Sequence, residues 1–217
     1  MRLYLASTSP ARLATLRAAG IEPIVVDPEV DEEAVVQGWV AEHGTIGAEA
    51  MVELLARAKA EAVASRDSAA LDGFILGGDS AFELDGVIYG KPHLPAVARE
   101  RWLLQRGRTG HLHSGHWLID RRAEVLGAFP GDDTRGIGSV TTTGVTFASN
   151  ISEQEIDAYI ATGEPLKVAG AFTIDSLGAP FITSVDGDPH AVVGLSLAAL
   201  RELFLSFDVS WPELWNR

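Results

Sequence analysis

Apolar and polar positions alternate along the chain in short runs whose period changes repeatedly, so strands and helices are predicted to interleave from end to end. Residues 2–6 (Arg-Leu-Tyr-Leu-Ala) read as a short buried strand. The polar turn Ser7-Thr8-Ser9-Pro10 follows, then a helix over about 11–19, with Ser9 suited to the N-cap, Pro10 to the first helical position and Gly20 to the stop. Ile24-Val25-Val26 reads as a second strand and the acidic stretch from Asp27 to Glu33 as a loop. An alanine-rich helix is predicted over 46–65, where Met51, Leu54, Leu55 and Ala58 recur at helical spacing.

Residues 73–80 (Gly-Phe-Ile-Leu-Gly-Gly-Asp-Ser) form a buried strand ending in glycines and an acid. Residues 82–89 read as a hairpin turning at Asp85-Gly86, and Gly90-Lys91-Pro92 closes it. A helix over 95–104, a strand over 111–120, a surface loop over 127–138 and a strand over 139–148 come next. Ser152 and Glu155 form a capping box that opens a helix running to about Ala161 and stopping at Gly163. One or two short strands are expected within 171–186, and 190–204 closes in a final helix ahead of a tail carrying Trp211 and Trp215. Strands mixed with helices throughout indicate α/β or α+β architecture around a mixed sheet.

At 217 residues one domain is the default, with two lobes around a cleft as the variant form. A hydrophobic content of 47% with 22% charged residues is that of a folded soluble chain. The absence of cysteine excludes disulfides, thiolate catalysis and Cys-based zinc sites, and fits a reducing compartment. The apolar opening breaks at Ser7 and meets Arg12 soon after, which is too short for a secretion signal. No apolar stretch has the length of a membrane span. A cytoplasmic protein is expected. A net charge of −13 repels a phosphate backbone and argues against nucleic-acid binding. It leaves room for a small polyanion, because a few local cations or a bound metal reverse the field inside a pocket. The chain uses lysine only at positions 59, 91 and 167, against fourteen arginines.

Three groups of residues carry candidate chemistry. The strand, hydroxyl-rich turn and helix start at 5–12 could bind an anion through free backbone N–H groups and the helix dipole, with Arg12 one turn in. A strand followed by a capped helix is also a common structural unit, so this run alone does not decide. At Gly77-Gly78-Asp79-Ser80 the glycines let a ligand or backbone come close, and Asp79 could bind a divalent cation or take a proton from water. A strand ending in a turn, with Asp79 bonding its own backbone, describes the same residues. One member of the acidic run could join Asp79 in holding Mg²⁺. His111 and His113 share a strand face that His116 does not, so the three are expected as surface or edge residues rather than a zinc site.

Taken in order, Leu5-Ala6-Ser7-Thr8-Ser9-Pro10-Ala11-Arg12, Val30-Asp31-Glu32, Ala58-Lys59-Ala60, Gly77-Gly78-Asp79-Ser80, Gly90-Lys91-Pro92, Thr162-Gly163-Glu164-Pro165, residues 169–175 (Ala-Gly-Ala-Phe-Thr-Ile-Asp) and residues 188–195 (Asp-Pro-His-Ala-Val-Val-Gly-Leu) resemble the motifs of the Maf septum-formation-type family of nucleoside triphosphate pyrophosphatases. The resemblance covers about residues 3–205. It implies an α/β fold like that of the inosine triphosphate pyrophosphatases, with an elongated mixed β-sheet, flanking helices and two lobes around a cleft. It implies one such domain over 1–206, a tail over 207–217 and a homodimer. The implied reaction is hydrolysis of a nucleoside triphosphate to the monophosphate and pyrophosphate with a divalent cation, Mg²⁺ or Mn²⁺, in housekeeping removal of non-canonical or pyrimidine nucleotides. Residue by residue, Ser7, Ser9, Arg12, Lys59 and Lys91 match phosphate-binding positions and Asp175 a substrate position. Glu32 and Asp79 match the acidic pair expected to hold metal, with Asp79 as the catalytic residue, either general base or metal carboxylate.

The chain departs from the family pattern where Ala11 replaces an arginine, Gly78 and Ser80 replace alanine and threonine, and Gly110 falls where histidine is usual. Asp175 replaces glutamine and Ser196 replaces proline. The changes at Ala11 and Asp175 bear on base preference and affinity. They also keep a second reading open, a nucleotide-sensing interaction protein acting in cell division without turnover.

Overall fold

The computed structural model describes residues 1–66, 71–122 and 135–217. Its strands are β1 (Leu3–Ala6), β2 (Ile24–Val26), β3 (Phe74–Leu84), β4 (Val87–Tyr89), β5 (Thr109–Asp120), β6 (Arg135–Phe147) and β7 (Ile182–Asp186). Its α-helices are α1 (Pro10–Ala18), α2 (Glu32–His43), α3 (Ala48–Ala64), α4 (Pro95–Gln105), α5 (Glu153–Ala161), α6 (Pro189–Val193) and α7 (Leu197–Leu205). The strands form one mixed sheet in the order β2-β1-β3-β5-β6-β7, with β4 paired to β3. β1 runs parallel to both β2 and β3, whereas β3–β4 and β6–β7 are antiparallel. The expected α/β class with a mixed sheet and flanking helices is therefore present.

The chain folds into two compact units. The first comprises residues 1–79, 115–140 and 197–217. Tyr4, Ala6, Ala60, Val63, Ala64, Ile75 and Ile119 form a buried cluster there, and Phe74 meets the Phe204 ring edge-on at 5.0 Å. The tail belongs to this unit: Leu214 is buried, Trp211 packs on Phe204, and Asn216 bonds back to Gly20 and Glu22. Trp215 lies against Gly20 but stays 58% exposed. The second unit comprises residues 80–114 and 141–196, around an aromatic core of Phe82, Trp102, Phe147, Tyr159 and Phe172.

Local signals in the sequence are realised. Ser9 caps α1 with Pro10 as its first residue, and Asp85-Gly86 turns the β3–β4 hairpin with positive φ at both positions, the geometry an Asp-Gly turn supplies. Ser152 and Glu155 bond reciprocally to each other's backbone N–H groups.

Other expectations are corrected. The acidic run is not all loop, because Asp31 accepts a hydrogen bond from the Ala34 N–H at 3.0 Å and starts α2. That helix fully buries none of its residues, and Val35, Val36 and Trp39 are half-buried. β3 does not end at the glycines but continues through Asp79 to Leu84. Of the loop expected over 127–138, residues 127–134 lie outside the described residues and 135–138 begin β6. The one or two short strands expected within 171–186 are present as one, β7. His113 and His116 are buried rather than surface residues, and His113 Nδ1 lies 3.0 Å from Thr142 Oγ1.

Candidate active site

A charged cluster in the first unit is assembled by β1, β3 and three helices. The α1 N-terminus follows directly on buried β1, so Ser7 and Ser9 occupy the turn between them. Ser7 Oγ is buried and accepts hydrogen bonds from the Ser9 N–H at 3.2 Å and from the Arg12 guanidinium at 3.1 Å. Both bonds fall on its lone pairs, so its own proton remains available for donation. The first turn of α1 contains no acidic residue, which leaves the positive end of the helix dipole uncancelled from within.

Two glycines of β3 set the distances. An alanine methyl at Gly77 would overlap the Ala56 carbonyl oxygen and lie 2.9 Å from Ala60 N, so α3 rests on the strand backbone here. Gly115 on β5 meets the Val52–Glu53 backbone of the same helix in the same way. This close seating carries Lys59, one residue before Ala60, into reach of Asp79. At Gly78 the neighbour is Arg12, whose Nε would lie 3.0 Å from an added methyl, so the missing side chain is where the guanidinium sits.

Lys59 donates to Asp79 Oδ1 at 2.6 Å and pairs with Glu32 Oε1 at 2.7 Å. The Lys59 and Asp79 side chains are 8% and 12% exposed, whereas that of Glu32 is 49% exposed. One bridge is therefore shielded from water and the other is screened by it. Burial pushes the Asp79 carboxyl above the usual aspartate range, against the opposing pull of Lys59 and Arg12. Burial also lowers the proton affinity of Arg12, partly offset by Asp79 and Glu32, but a guanidinium keeps its charge.

The structure thus brings together Ser7, Ser9, Arg12, Glu32, Lys59 and Asp79. Lys91 and Asp175 belong to the second unit, both exposed. Asp175 follows a loop held from beneath: Trp102 Nε1 donates to the Ala171 carbonyl at 2.8 Å and Gln105 Nε2 to that of Gly170 at 2.7 Å. Glu164 fastens the loop's far side, accepting from Tyr159, Thr173 and Ser176 hydroxyls and from the Leu177 and Gly178 N–H groups.

Sequence reasoning did not single out Ser114. Its buried hydroxyl donates to the Ala191 carbonyl at 2.7 Å, so in its 2.9 Å contact with Ser80 it accepts, pinning the residue after Asp79. An isolated serine inside a strand gives no signal of this.

No group of three or more His, Cys, Asp or Glu side chains suited to a metal exists among the described residues. The donor set nevertheless fits Mg²⁺ or Mn²⁺, since Asp79 and Glu32 already converge on one cation, the Lys59 ammonium. Mg²⁺ typically takes one or two protein carboxylates and completes its shell with water and substrate phosphate.

A mixed α/β sheet here presents a capped helix start, a buried acid and two cations in one place, an arrangement able to take a phosphate group. More specifically, residues 2–207 match the family model described as Maf-like protein, and the chain belongs to that family. It is 61% identical over its whole length to a nucleoside triphosphate pyrophosphatase of Leifsonia xyli subsp. xyli, covering 98% of that protein. It is 47% identical to one of Salinispora tropica, with 100% of this chain and 88% of that one covered. Among solved structures it is similar to the Ham1 protein of Staphylococcus aureus, at 14% identity and a TM-score of 0.43 over 96% of this chain and all of that one. That likeness is too loose to bear on mechanism.

Proposed function

We propose that this chain hydrolyses a nucleoside triphosphate to the monophosphate and pyrophosphate, using the cluster around Asp79. The observation that carries the reading is the buried Lys59–Asp79 pair flanked by Arg12, Glu32 and an unopposed helix start. It is supported by 61% identity to a nucleoside triphosphate pyrophosphatase across the full chain.

In this mechanism a water oxygen attacks the α-phosphorus, its proton passes to Asp79, and the bond to the β-phosphate bridging oxygen breaks to release pyrophosphate. In the metal-free protein burial raises the proton affinity of Asp79, and Lys59 and Arg12 oppose that rise. Arg12 and Lys59 stabilise charge on the phosphoryl oxygens, which is most of what such a transfer requires. The first turn of α1 and the Ser7 and Ser9 hydroxyls add neutral donors that position the phosphates. Asp79 and Glu32 would hold the divalent cation, which supplies Lewis acidity and charge neutralisation when bound. Lys91 and Asp175 keep the phosphate-contacting and substrate-binding roles that family resemblance gives them.

A homodimer in a cytoplasmic setting belongs to the same proposal. No helix among the described residues is long and apolar enough to cross a membrane. Incubating the protein with a panel of canonical and modified triphosphates, with Mg²⁺ or Mn²⁺, tests the reading. Pyrophosphate release that Asp79→Asn abolishes without loss of fold is expected, and near-wild-type turnover by that variant would overturn it. Saturable nucleotide binding with no product would favour the sensing role instead. Light scattering reads the assembly state.

A further inference from the structure

The Lys59 ammonium sits where two carboxylates converge, 2.6 Å from Asp79 Oδ1 and 2.7 Å from Glu32 Oε1. That is the position of charge a divalent cation would take from the same acids. Asp79 and Glu32 carry two negative charges, and Lys59 and Arg12, which feels both carboxylates, carry two positive ones. The nucleotide-free cluster is therefore electrically balanced. A metal ion at the two acids meets the competing ammonium, and a phosphate at the two cations meets the competing carboxylates.

We propose that Lys59 is an exchangeable internal cation. In the nucleotide-free protein it holds the acidic pair in place of the divalent ion, and it moves to the phosphates when metal and nucleotide arrive together. Metal binding frees the ammonium for phosphate, and phosphate draws the ammonium off the carboxylates. Each ligand raises the affinity of the other, and linkage makes the coupling reciprocal. Lysine suits this role, being a point charge on a flexible stem, where arginine's fixed fork would hold the carboxylates more rigidly. The half-exposed Glu32 gives the exchange a solvent-screened side on which to begin. The proposal rests on the pyrophosphatase reading for the nucleotide and tests the exchange separately from turnover.

The experiment is Mn²⁺ binding to the nucleotide-free, full-length protein, followed by calorimetry and by electron paramagnetic resonance of free Mn²⁺. Wild type is expected to bind weakly. Lys59→Met is expected to bind at least roughly tenfold more tightly, about 1.4 kcal/mol, because it removes the competing charge. Lys59→Gln keeps hydrogen-bond donors without the charge and is expected to show the same gain, and Lys59→Arg is expected to stay weak. Unchanged or weaker binding in the folded neutral variants would overturn the proposal.

Stranding Asp79 without its partner is costly and could unfold those variants, so a second measurement uses the native chain. Only three lysines occur, so ¹⁵N-lysine labelling gives three ammonium signals, of which the buried Lys59 should be the most slowly exchanging. Its signal is expected to shift along the same titration curve as Mg²⁺ binding. Saturation with Mg²⁺ while that signal stays fixed would contradict the exchange. Neither readout needs catalysis: a chain that bound Mn²⁺ as described yet cleaved no triphosphate would sink the functional reading alone.

Discussion

Gly77→Ala should slow the enzyme while leaving every proposed catalytic group in the chain. The added methyl would lie 2.9 Å from Ala60 N, short of an ordinary 3.4 Å contact by 0.5 Å, and would overlap the Ala56 carbonyl outright. Both neighbours are helix backbone, so α3 must move off β3 by something on the order of 1 Å. Overpacking of this kind costs about 1–3 kcal/mol. In a chain of this size each kcal/mol lowers the melting temperature by about 2–4 °C, so a fall of roughly 2–12 °C is expected. Lys59 travels with the helix, away from Asp79, and a misplacement of about 1 Å in a catalytic constellation can cost roughly 100-fold in rate. Steady-state pyrophosphate release and a thermal melt on the same preparation measure both effects. Gly38→Ala is the control: apart from its own helix turn nothing lies within 4 Å of the added methyl, and the site is inside α2. It should leave activity unchanged and add about 0.5–1 kcal/mol of stability. Wild-type rate and melting temperature in Gly77→Ala would refute the claim that backbone contact at this glycine sets the Lys59–Asp79 pair.

Further variants test other parts of the account. Arg12→Lys keeps the charge but loses the fork that reaches Ser7, and is expected to raise KM for nucleotide about tenfold or more with a smaller change in kcat, as steady-state kinetics would show. Trp102→Phe leaves the buried Ala171 carbonyl without its donor and should cost about 1–3 kcal/mol in denaturant unfolding. Glu164 bears on acid stability: partial burial raises its carboxyl, but hydrogen bonds from Thr173, Ser176 and Tyr159 hold it below the usual glutamate value. A depressed acid contributes stability above its unfolded pKa of about 4.3 and loses it as pH falls through the lower folded value. Glu164→Gln should therefore lower the melting temperature at neutral pH and flatten its decline below about pH 4; parallel curves for the two proteins would refute this.

What the sequence made legible was local. Ser9-Pro10, Asp85-Gly86 and the Ser152–Glu155 box each specify a conformation within four residues, and each appears as expected. The missing elements depend on contacts that no window contains. α2 fully buries none of its residues, and its start at Asp31 lies inside an acidic run that reads as loop. Gly77-Gly78 reads as a strand end whose glycines let a ligand or backbone come close. Here the strand continues, and the glycines make room for the α3 backbone and the Arg12 side chain. Strand alternation separates His116 from His111 and His113 and predicts surface or edge histidines, but it carries no information on burial, and His113 and His116 are buried.

The candidate site divides in the same way. The residues that converge on Asp79 were nameable through ordered motifs, but not the arrangement in which one ammonium bridges positions 32 and 79. That geometry comes from helix packing on glycine, which sequence spacing does not encode.

The central claim is that water attacks the α-phosphorus and expels pyrophosphate. Turnover of a nucleoside triphosphate in H₂¹⁸O, with mass analysis of both products, tests it most directly. The account predicts one ¹⁸O in the nucleoside monophosphate and none in pyrophosphate. Label in pyrophosphate, or release of orthophosphate in place of pyrophosphate, would contradict it.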